Sequence, residues 1–265
     1  MKIALIQMTI VEGNIKQNID KAIALINRAI SLDADLIVLP ELWTTGYSLE
    51  NIYALAISEE NIGALSLLQN LARKHNTYIL GGTIPAIVGE KLYNRAYFIS
   101  NEGTILATYD KIHLIPLLNE DRYFSSGGKI CTFIFDGIRC GILICYDLRF
   151  PELSRILTVK MGCKILFVPS EWPATRGEHW LILNRARAIE NQLFICAINR
   201  VGSNENIDFF GHSLIVDPNG TVIAEGSSIN EEVITCEIDF SEVDNARENI
   251  PTLKNRREEL YKWQT

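Results

Sequence analysis

The sequence predicts an α/β fold in which two similar halves pack their mixed sheets face to face with helices outside, as a four-layer α-β-β-α sandwich. Each half contains strand, helix, strand and helix patterns followed by hairpins. These similarities are short, so chance is the alternative explanation for them. We expect one domain, residues 1–265, whose C-terminal tail begins at about residue 240. The similar segments are 36–40 with 165–169, and 101–107 with 219–224.

The first half begins with a strand pattern at Lys2–Met8. Asn14 and Gln17 then resemble a capping box, and apolar residues at helical spacing over 15–30 predict an amphipathic helix. The apolar run Asp35–Pro40 predicts a buried strand that ends at its proline. The other predicted elements of this half are a helix at 60–75, a strand at 78–82, and a hairpin of strands at 93–100 and 105–111.

The second half repeats this alternation. An Asp136-Gly137 pair, which favours a type I′ turn, joins predicted strands at Thr132–Phe135 and Arg139–Ile144. Pro151, at a tolerated first-turn position, opens the next helix. The remaining predicted elements are strands at 164–169, 193–199, 213–216, 221–224 and 233–237, a helix at 178–191, a terminal helix from Ser241, and a solvated charged tail at 254–259.

Composition argues against several classes of protein. The 265 residues are 48% apolar, enough for a sizeable core, and the net charge of −7 without a basic block argues against nucleic acid or an anionic membrane as the main partner. The N-terminus enters a strand pattern directly, unlike a signal peptide, and no apolar run approaches the roughly 18 residues of a membrane span. Six scattered cysteines without a Cys-x-x-Cys pair predict reduced thiols and a cytoplasmic protein.

Cys145 is the first candidate for chemistry. The apolar run Gly141–Ile144 predicts a buried strand and a helix opens at Pro151, so the thiol stands at a strand-to-helix corner. Backbone N–H groups at such a corner can face the group that the sulfur attacks. Taken alone, however, a cysteine on a core strand is more often inert packing.

Two more polar residues stand at the ends of apolar strands. Glu41 follows the strand at 35–40, and Lys111 follows the strand at 105–109. Strand ends in α/β proteins are where reactive groups are usually displayed on a rigid frame. Together with a thiol, a carboxylate and an ammonium can perform acyl transfer. The carboxylate takes the thiol proton, the ammonium stabilises the thiolate and later the oxyanion, and the sulfur attacks.

Three segments around these residues closely resemble the motif regions of the nitrilase superfamily of carbon–nitrogen hydrolases. They are Pro40-Glu41, the segment Tyr109–Pro116 together with Glu120, and Cys145-Tyr-Asp-Leu-Arg-Phe-Pro-Glu152. Three separated motifs in the same order are a specific signal. The resemblance covers nearly the whole chain, to about residue 240, through further segments at 169–180, 185–192, 199–202 and 211–213.

By position, the resemblance implies a triad in which Glu41 is the general base, Lys111 stabilises the oxyanion and Cys145 is the nucleophile. Glu120 matches the family's second glutamate, which helps to position the lysine and the substrate. The N–H of Tyr146 would be the other oxyanion donor. The implied fold is the same sandwich, dimerised through helices that include the one after the nucleophile, and no cofactor is implied. The alternative is a degenerate relative in which Glu41 and Lys111 form a structural ion pair beside a core thiol.

Within the superfamily, the segments that begin at Cys145, Glu171 and Asn199 look most like the ω-amidase branch. That branch hydrolyses the distal amide of 2-oxoglutaramate and related ω-monoamides and releases ammonia. True nitrilases usually carry Trp directly after the nucleophile, and Tyr146 at this position makes a nitrile substrate less favoured. A second carboxylate on the substrate requires a cation with bidentate geometry. Candidate binding residues, with bracing or packing as the alternative role, are Arg149 and Arg176 for the carboxylate and Trp172, Tyr47 and Trp43 for the pocket wall.

Other signals are weaker. His113 lies two residues from Lys111, so on a continuing strand the two side chains would share a face and a Cys–His hydrolase is conceivable. The motif, however, assigns the catalytic role to the lysine. His179 is better explained as a loop or cap residue, and the His and Cys spacing does not match a metal site. Ser126-Gly-Gly-Lys129 lacks the Ser/Thr and the following helix of a phosphate loop. The alternative functions are the same chemistry on an N-carbamoyl compound, a deaminated-glutathione-type amide or a nitrile, and, from another class, a non-catalytic binding scaffold.

Overall fold

Two six-stranded sheets lie face to face in the computed structural model, which describes residues 1–261. The strands of these residues are β1 (Lys2–Gln7), β2 (Leu36–Val38), β3 (Tyr78–Val88), β4 (Lys91–Ile99), β5 (Ile105–Asp110), β6 (Thr132–Phe135), β7 (Ile138–Ile142), β8 (Ile165–Ser170), β9 (Phe194–Asn199), β10 (Leu214–Val216), β11 (Val222–Glu225) and β12 (Glu232–Glu237). Their helices are α1 (Ile15–Ser31), α2 (Ile52–Ala56), α3 (Glu59–His75), α4 (Glu120–Tyr123), α5 (Pro151–Val159), α6 (Gly177–Asn191) and α7 (Ser241–Asn249). None of these described helices combines the length and the apolar character needed to cross a bilayer.

The two sheets share one pattern of strand order. The first runs β12-β1-β2-β3-β4-β5, and the second runs β6-β7-β8-β9-β10-β11. In each, the second to fourth strands are parallel and the other neighbours are antiparallel. β6 follows the first five strands along the chain but joins the second sheet, and β12 likewise joins the first. Since β6 and β12 both belong to the second half, only β12 crosses to the sheet of the other half, where its pairing with β1 ties the sheets together.

Alternating side chains divide the core into layers. On β1, Ile6 packs against α1 and α3 on the outer face, whereas Leu5 points toward the second sheet, because successive strand residues face opposite sides. Between the sheets, the rings of Phe98 and Phe133 stack with their centroids 3.8 Å apart. On the other side, α6 packs on β9 and β10, and α5 lies beside α6. The predicted four-layer sandwich is confirmed.

The main difference from the predicted elements is the length of β3. The sequence pattern predicts that this strand ends at Gly82, but it continues to Val88 and forms a hairpin with β4. Gly82 has a φ of +53°, and the register shifts between Leu80 and Thr83, so a bulge carries the strand past the glycines. Gly81-Gly82 resembles a strand end in sequence because paired glycines usually mark a turn.

The other predicted elements are present, with ends that differ by one or two residues. The Asn14 side chain accepts from the N–H of Gln17, as the capping pattern predicts. The short helices α2 and α4 are not predicted, and a single 3₁₀ turn at Cys145–Arg149 precedes α5. The charged segment 254–259 is exposed apart from Arg256, as expected. The last part of the predicted tail, 262–265, lies outside the described residues.

Candidate active site

Cys145 lies at a corner that is braced by one carboxylate. Its φ of +44° is in the left-handed region, which is strained for a residue with a side chain and must be held by its surroundings. The Asp147 carboxylate accepts from the N–H of Ile144 at 3.0 Å and from the hydroxyl of Tyr109 at 2.7 Å. It also accepts from the N–H of His113 at 3.0 Å. Asp147 therefore ties the Cys145 corner to the chain on both sides of Lys111.

Lys111 is completely buried between two carboxylates. Its Nζ lies 2.8 Å from Glu41 Oε1 and 2.9 Å from both oxygens of Glu120. Burial would lower the pKa of the lysine, but Glu120 and Glu41 raise it above its ordinary value, so the side chain is an ammonium. The N–H of Ile115 donates to Glu120 at 2.9 Å, and the Lys111 N–H donates to the carbonyl of Asn94 at 3.0 Å. The Lys111 side chain is thus held both at its main-chain end and at its ammonium group.

The two oxygens of the Glu41 carboxylate have different surroundings. Oε1 accepts from Lys111 Nζ at 2.8 Å, from Asn94 Nδ2 at 2.8 Å and from the Tyr47 hydroxyl at 2.9 Å. Oε2 accepts from one protein donor, the N–H of Glu171, at 3.0 Å. A carboxylate oxygen with three donors has little capacity to take a proton. Oε2 is therefore the oxygen available to act as a base.

The Cys145 thiol lies beside this carboxylate and is 2% exposed. Burial raises the pKa of the thiol well above its ordinary value, and the Glu41 carboxylate raises it further. Lys111 and the N–H of Glu171 act in the opposite direction. The resting site therefore holds a neutral thiol next to a carboxylate with a free lone pair, which is the arrangement that a nucleophile and its base require.

A cavity of about 350 Å³ opens onto the sulfur. One wall is the turn that begins at Cys145, with Tyr146 and Arg149, and another wall is the segment after β8, with Glu171, Trp172 and Arg176. Residues 115–118, which precede Glu120, form a third side. This volume suits a small organic molecule.

Arg149 and Arg176 both line the cavity, and neither forms an ion pair with a carboxylate of the described residues. The Arg149 guanidinium lies over the ring of Trp172, 4.4 Å from its centroid, and its Nη1 is 3.2 Å from His179 Nδ1. Burial lowers the pKa of Arg149, and the positive charge of Arg176 also lowers it. Arg176 is exposed, and it donates to the carbonyl of Thr175. The cavity therefore presents a half-buried cation that has no anionic partner.

The structure brings together most of the residues that the sequence singles out. Tyr47 does not line the cavity, so the prediction that it forms part of the pocket wall is wrong. Its hydroxyl contacts Glu41 and Lys111 instead. Burial raises the pKa of this hydroxyl well above the ordinary value, so it stays protonated and can donate a hydrogen bond. Trp43 lies in the core, where its Nε1 donates to the Gly81 carbonyl at 2.8 Å, so the alternative role as packing is correct for it. His113 pairs with Asp147 instead of with the thiol. Among the described residues, no group of three or more His, Cys, Asp or Glu side chains could hold a metal ion.

Two residues of the site were not singled out from sequence. Asn94 Nδ2 donates to Glu41 at 2.8 Å and to Glu120 at 3.1 Å. The sequence does carry a signal for Asn94, since this polar residue alternates with the apolar residues Leu92 and Ala96 on the inward face of β4, where a polar side chain is unusual. Glu171 follows the buried strand β8 directly, so the rule that identified Glu41 and Lys111 at strand ends applies to it as well.

Comparison with known proteins agrees with this geometry. A family model described as carbon–nitrogen hydrolase matches residues 2–248. The 2-oxoglutaramate amidase of Bacillus subtilis is 44% identical over 259 residues, which cover 98% of each protein. The human ω-amidase NIT2 is 32% identical over 98% of this chain and 96% of its own. The crystal structure of Saccharomyces cerevisiae Nit3, a member of branch 10 of the nitrilase superfamily, has 31% identity and a TM-score of 0.89 over 97% of this chain and 96% of that one.

The resemblance seen in the sequence is confirmed by these matches. The family model spans far more than half of the chain, and the full-length relatives exceed 30% identity. Because the same matches cover the three strand ends that meet at the buried lysine, this chain belongs to the carbon–nitrogen hydrolase family and is a carbon–nitrogen hydrolase of the nitrilase superfamily.

Proposed function

We propose that this enzyme is a thiol-dependent ω-amidase, which hydrolyses the primary amide of a small ω-monoamide of a dicarboxylic or 2-oxo acid through a thioester on Cys145 and releases ammonia. The observation that carries the proposal is the buried cluster in which a neutral thiol adjoins Glu41, whose Oε2 is available to accept a proton, while Lys111 contacts Oε1 of that carboxylate and acts on the thiol. An ion pair between Glu41 and Lys111 with a purely structural role would not need a thiol next to the available oxygen of the carboxylate. The cluster thus favours catalysis over the degenerate alternative.

In the first half-reaction, Glu41 takes the proton of the Cys145 thiol as the sulfur attacks the amide carbon. The carbonyl oxygen becomes an oxyanion, which the Lys111 ammonium and the N–H of Tyr146 stabilise. Glu41 then passes its proton to the amide nitrogen, the C–N bond breaks, and ammonia leaves an acyl-thioester. In the second half-reaction, Glu41 removes a proton from water as the hydroxide adds to the thioester carbon. The C–S bond then breaks, the acid product is released, and Glu41 returns the proton to the sulfur of Cys145.

Glu120 and Tyr47 hold the proposed oxyanion donor and the proposed base in position. Glu120 contacts Lys111 with both oxygens, which leaves the ammonium little freedom to swing away from the reacting carbon. The Tyr47 hydroxyl donates to Glu41 Oε1 and accepts from Lys111, so it fixes the carboxylate with Oε2 toward the sulfur. Reacting groups held in one geometry lower the entropic part of the barrier.

Two features support an acyl chain that ends in a carboxylate. The cavity holds Arg149, a half-buried guanidinium with no carboxylate of the described protein against it, and Arg176 adds a second positive charge at the exposed side. Relatives over nearly the whole chain are named 2-oxoglutaramate amidase and ω-amidase. We assign the carboxylate to Arg149, because Trp172 holds its planar group in place, whereas Arg176 is exposed.

We also propose that the whole chain acts as one domain and that two copies associate through α5 and α6. Ile182 and Ile189 of α6 are 59% and 50% exposed, and Ile156 of α5 is 37% exposed, so these neighbouring helices present apolar side chains on their outer face. The six cysteines are all unpaired, which supports residence in the cytoplasm.

Ammonia release tests the proposed activity. Wild type, Cys145→Ala and Lys111→Ala are each assayed with 2-oxoglutaramate, succinamate, carbamoyl-β-alanine and a simple nitrile. We expect wild type to turn over the two ω-amides best, Lys111→Ala to lose a factor of about 10²–10³ in kcat, and Cys145→Ala to release no ammonia. Thermal unfolding of each variant serves as the control for folding. Appreciable turnover by Cys145→Ala contradicts the assigned nucleophile, and preference for the carbamoyl compound or the nitrile contradicts the substrate class.

A further inference from the structure

A buried carboxyl and a buried guanidinium form a second pair next to the catalytic cluster. Glu171 follows the last residue of β8, and Arg200 follows the last residue of β9, which is the neighbouring parallel strand. Both side chains are 0% exposed, and Arg200 Nη1 donates to Glu171 Oε2 at 2.7 Å. Arg200 is itself held, because its Nη2 donates to the carbonyl of Ile10 and its guanidinium lies 3.8 Å from the ring centroid of Phe209. The pair therefore locks two strand ends together.

The main chain at this point contacts the reacting groups. The N–H of Glu171 donates to Glu41 Oε2, the oxygen on the side of the thiol, and the same N–H lies close enough to Cys145 to lower the pKa of its thiol. The next N–H, that of Trp172, donates to Asn199 Oδ1 at 2.7 Å. Two contacts thus set the direction of the Glu171 N–H. One is between the Glu171 side chain and Arg200, and the other is between the Trp172 N–H and Asn199.

We propose that Glu171, anchored on Arg200, is a positioning residue for the reaction, which aims Glu41 Oε2 at the Cys145 thiol through its own peptide N–H. The inference rests on the proposed function, since it assigns a role relative to that nucleophile and base. It extends that function, because Glu171 and Arg200 belong to none of the three motif segments.

The charge of Glu171 then matters for the reaction. Burial raises the pKa of its carboxyl to about 8, although Arg200 opposes the rise, and the charges of Glu41 and Glu12 add to it. Oε1 of Glu171 has no hydrogen-bond partner among residues 1–261. The titratable groups that face the carboxyl are Arg200 after β9, Glu41 and Tyr47 after β2, Glu12 before α1 and Cys145 after β7.

These surroundings give a definite sign to the effect of pH. Below pH 8 Glu171 is mainly neutral, and proton transfer from the thiol to Glu41 takes place without an added charge. Above pH 8 a second carboxylate stands beside Glu41, which disfavours the thiolate and the oxyanion that form in the transition state. The neutral carboxyl is thus the working form, and activity should fall on the alkaline side.

The test compares Glu171→Gln and Glu171→Ala with wild type, using the ω-amide that wild type turns over best, between pH 6 and pH 9.5. Gln keeps the acceptor for Arg200 and cannot ionise. We expect it to retain kcat at pH 7 within about twofold and to remain flat where wild-type kcat falls about tenfold per pH unit above pH 8. Ala removes the anchor, and we expect its kcat to fall at least about tenfold with KM changed less than about twofold. Asp244→Asn, which removes a remote exposed carboxylate paired with Lys164, is the matched control.

An alkaline fall in Glu171→Gln equal to that of wild type overturns the inference, and so does an Ala variant with wild-type kcat. Should the Ala variant not fold, the Gln variant carries the test, because its pH profile separates positioning from mere structural support. The two proposals fail differently. Turnover by Cys145→Ala refutes the proposed function, whereas an inactive Cys145→Ala with both Glu171 variants like wild type refutes this inference alone.

Discussion

At the scale of single residues, the site concentrates charge where a protein normally has none. Glu41, Lys111 and Glu120 are all 0% exposed, and Lys111 lies within hydrogen-bond distance of both carboxylates. Two carboxylates and one ammonium leave an excess negative charge. Burial reduces part of this charge because it raises the pKa of Glu120 and so favours its neutral form, although Lys111 has the opposite effect on that pKa. Apolar residues of similar volume are often at least as stabilising as a buried ion pair. The proposed catalytic role, and not a gain in stability, therefore accounts best for the position of these three residues.

The proposed carboxylate partner can be tested by replacing each arginine separately. In Arg149→Met we expect KM for 2-oxoglutaramate to rise by about 10- to 100-fold, because a charge-assisted hydrogen-bonded contact contributes about 1.5–3 kcal/mol. In Arg176→Met we expect a rise below about threefold, since this side chain is exposed. Steady-state kinetics provide the measurement.

A neutral amide such as propionamide is the control for the arginine variants, because its KM should not respond to either change. If Arg149→Met raised KM equally for the neutral amide, the arginine would shape the cavity and would not bind a carboxylate. If Arg176→Met had the larger effect on 2-oxoglutaramate alone, the two assignments would be exchanged.

At the scale of elements, the bulge in β3 positions Glu41, the proposed catalytic base. The carbonyl of Pro40 accepts from the N–H of Thr83 at 3.1 Å, and the Thr83 hydroxyl accepts from the N–H of Leu42 at 2.7 Å. These contacts hold the main chain on both sides of Glu41. The close approach requires a glycine at position 82, since a Cβ there would lie 2.0 Å from the Pro40 carbonyl oxygen.

We expect Gly82→Ala to be destabilising by more than about 2 kcal/mol and to lower kcat, because a positive φ and a main-chain clash act together and displace Glu41. Gly137→Ala is the matched control. Its φ is +74° but nothing lies within 4 Å of the added Cβ, so we expect a loss of only about 1 kcal/mol with normal kcat. Denaturant unfolding and ammonia release measure both properties. Equal effects in the two variants would contradict the positioning role of the bulge.

At the scale of the whole molecule, the site lies where the two sheets meet. Glu41 and Lys111 follow strands of the first sheet, and Cys145 and Glu171 follow strands of the second. The edge strand β12 comes from the second half of the chain and pairs with β1 of the first sheet, so Glu41 and Cys145 cannot separate without loss of strand pairing. This arrangement gives the rigid geometry that acyl transfer requires.

The proposed association of two copies is tested on the outer face of α6. We expect wild type to have the mass of a dimer in light scattering after size-exclusion chromatography, and Ile182→Glu combined with Ile189→Glu to have the mass of a monomer, because two buried carboxylates oppose a packed interface. Ile62→Glu is the control, since Ile62 is 61% exposed on α3, on the opposite outer layer. A wild-type monomer, or dissociation by Ile62→Glu alone, would contradict the proposed interface.

The sequence by itself determined the fold class, the family and the candidate triad of this protein. Strand and helix periodicity is a local property, and each of Glu41, Lys111 and Cys145 is recognisable from the apolar strand before it and from its motif. Even Glu171 was within reach of the strand-end rule. The error at Gly82 had a local cause as well, since a glycine pair does not reveal whether the chain turns or bulges.

Only the tertiary structure decided how the parts of the site divide their work. No spacing in the chain indicates that Glu41 Oε1 is saturated by Lys111, Asn94 and Tyr47 while Oε2 is left for the thiol. Nor does any local pattern place Trp43 in the core or bring Arg200 behind Glu171. The physical reason is that hydrogen bonding, desolvation and the resulting pKa values depend on which distant segments meet, and the packing of two sheets determines that.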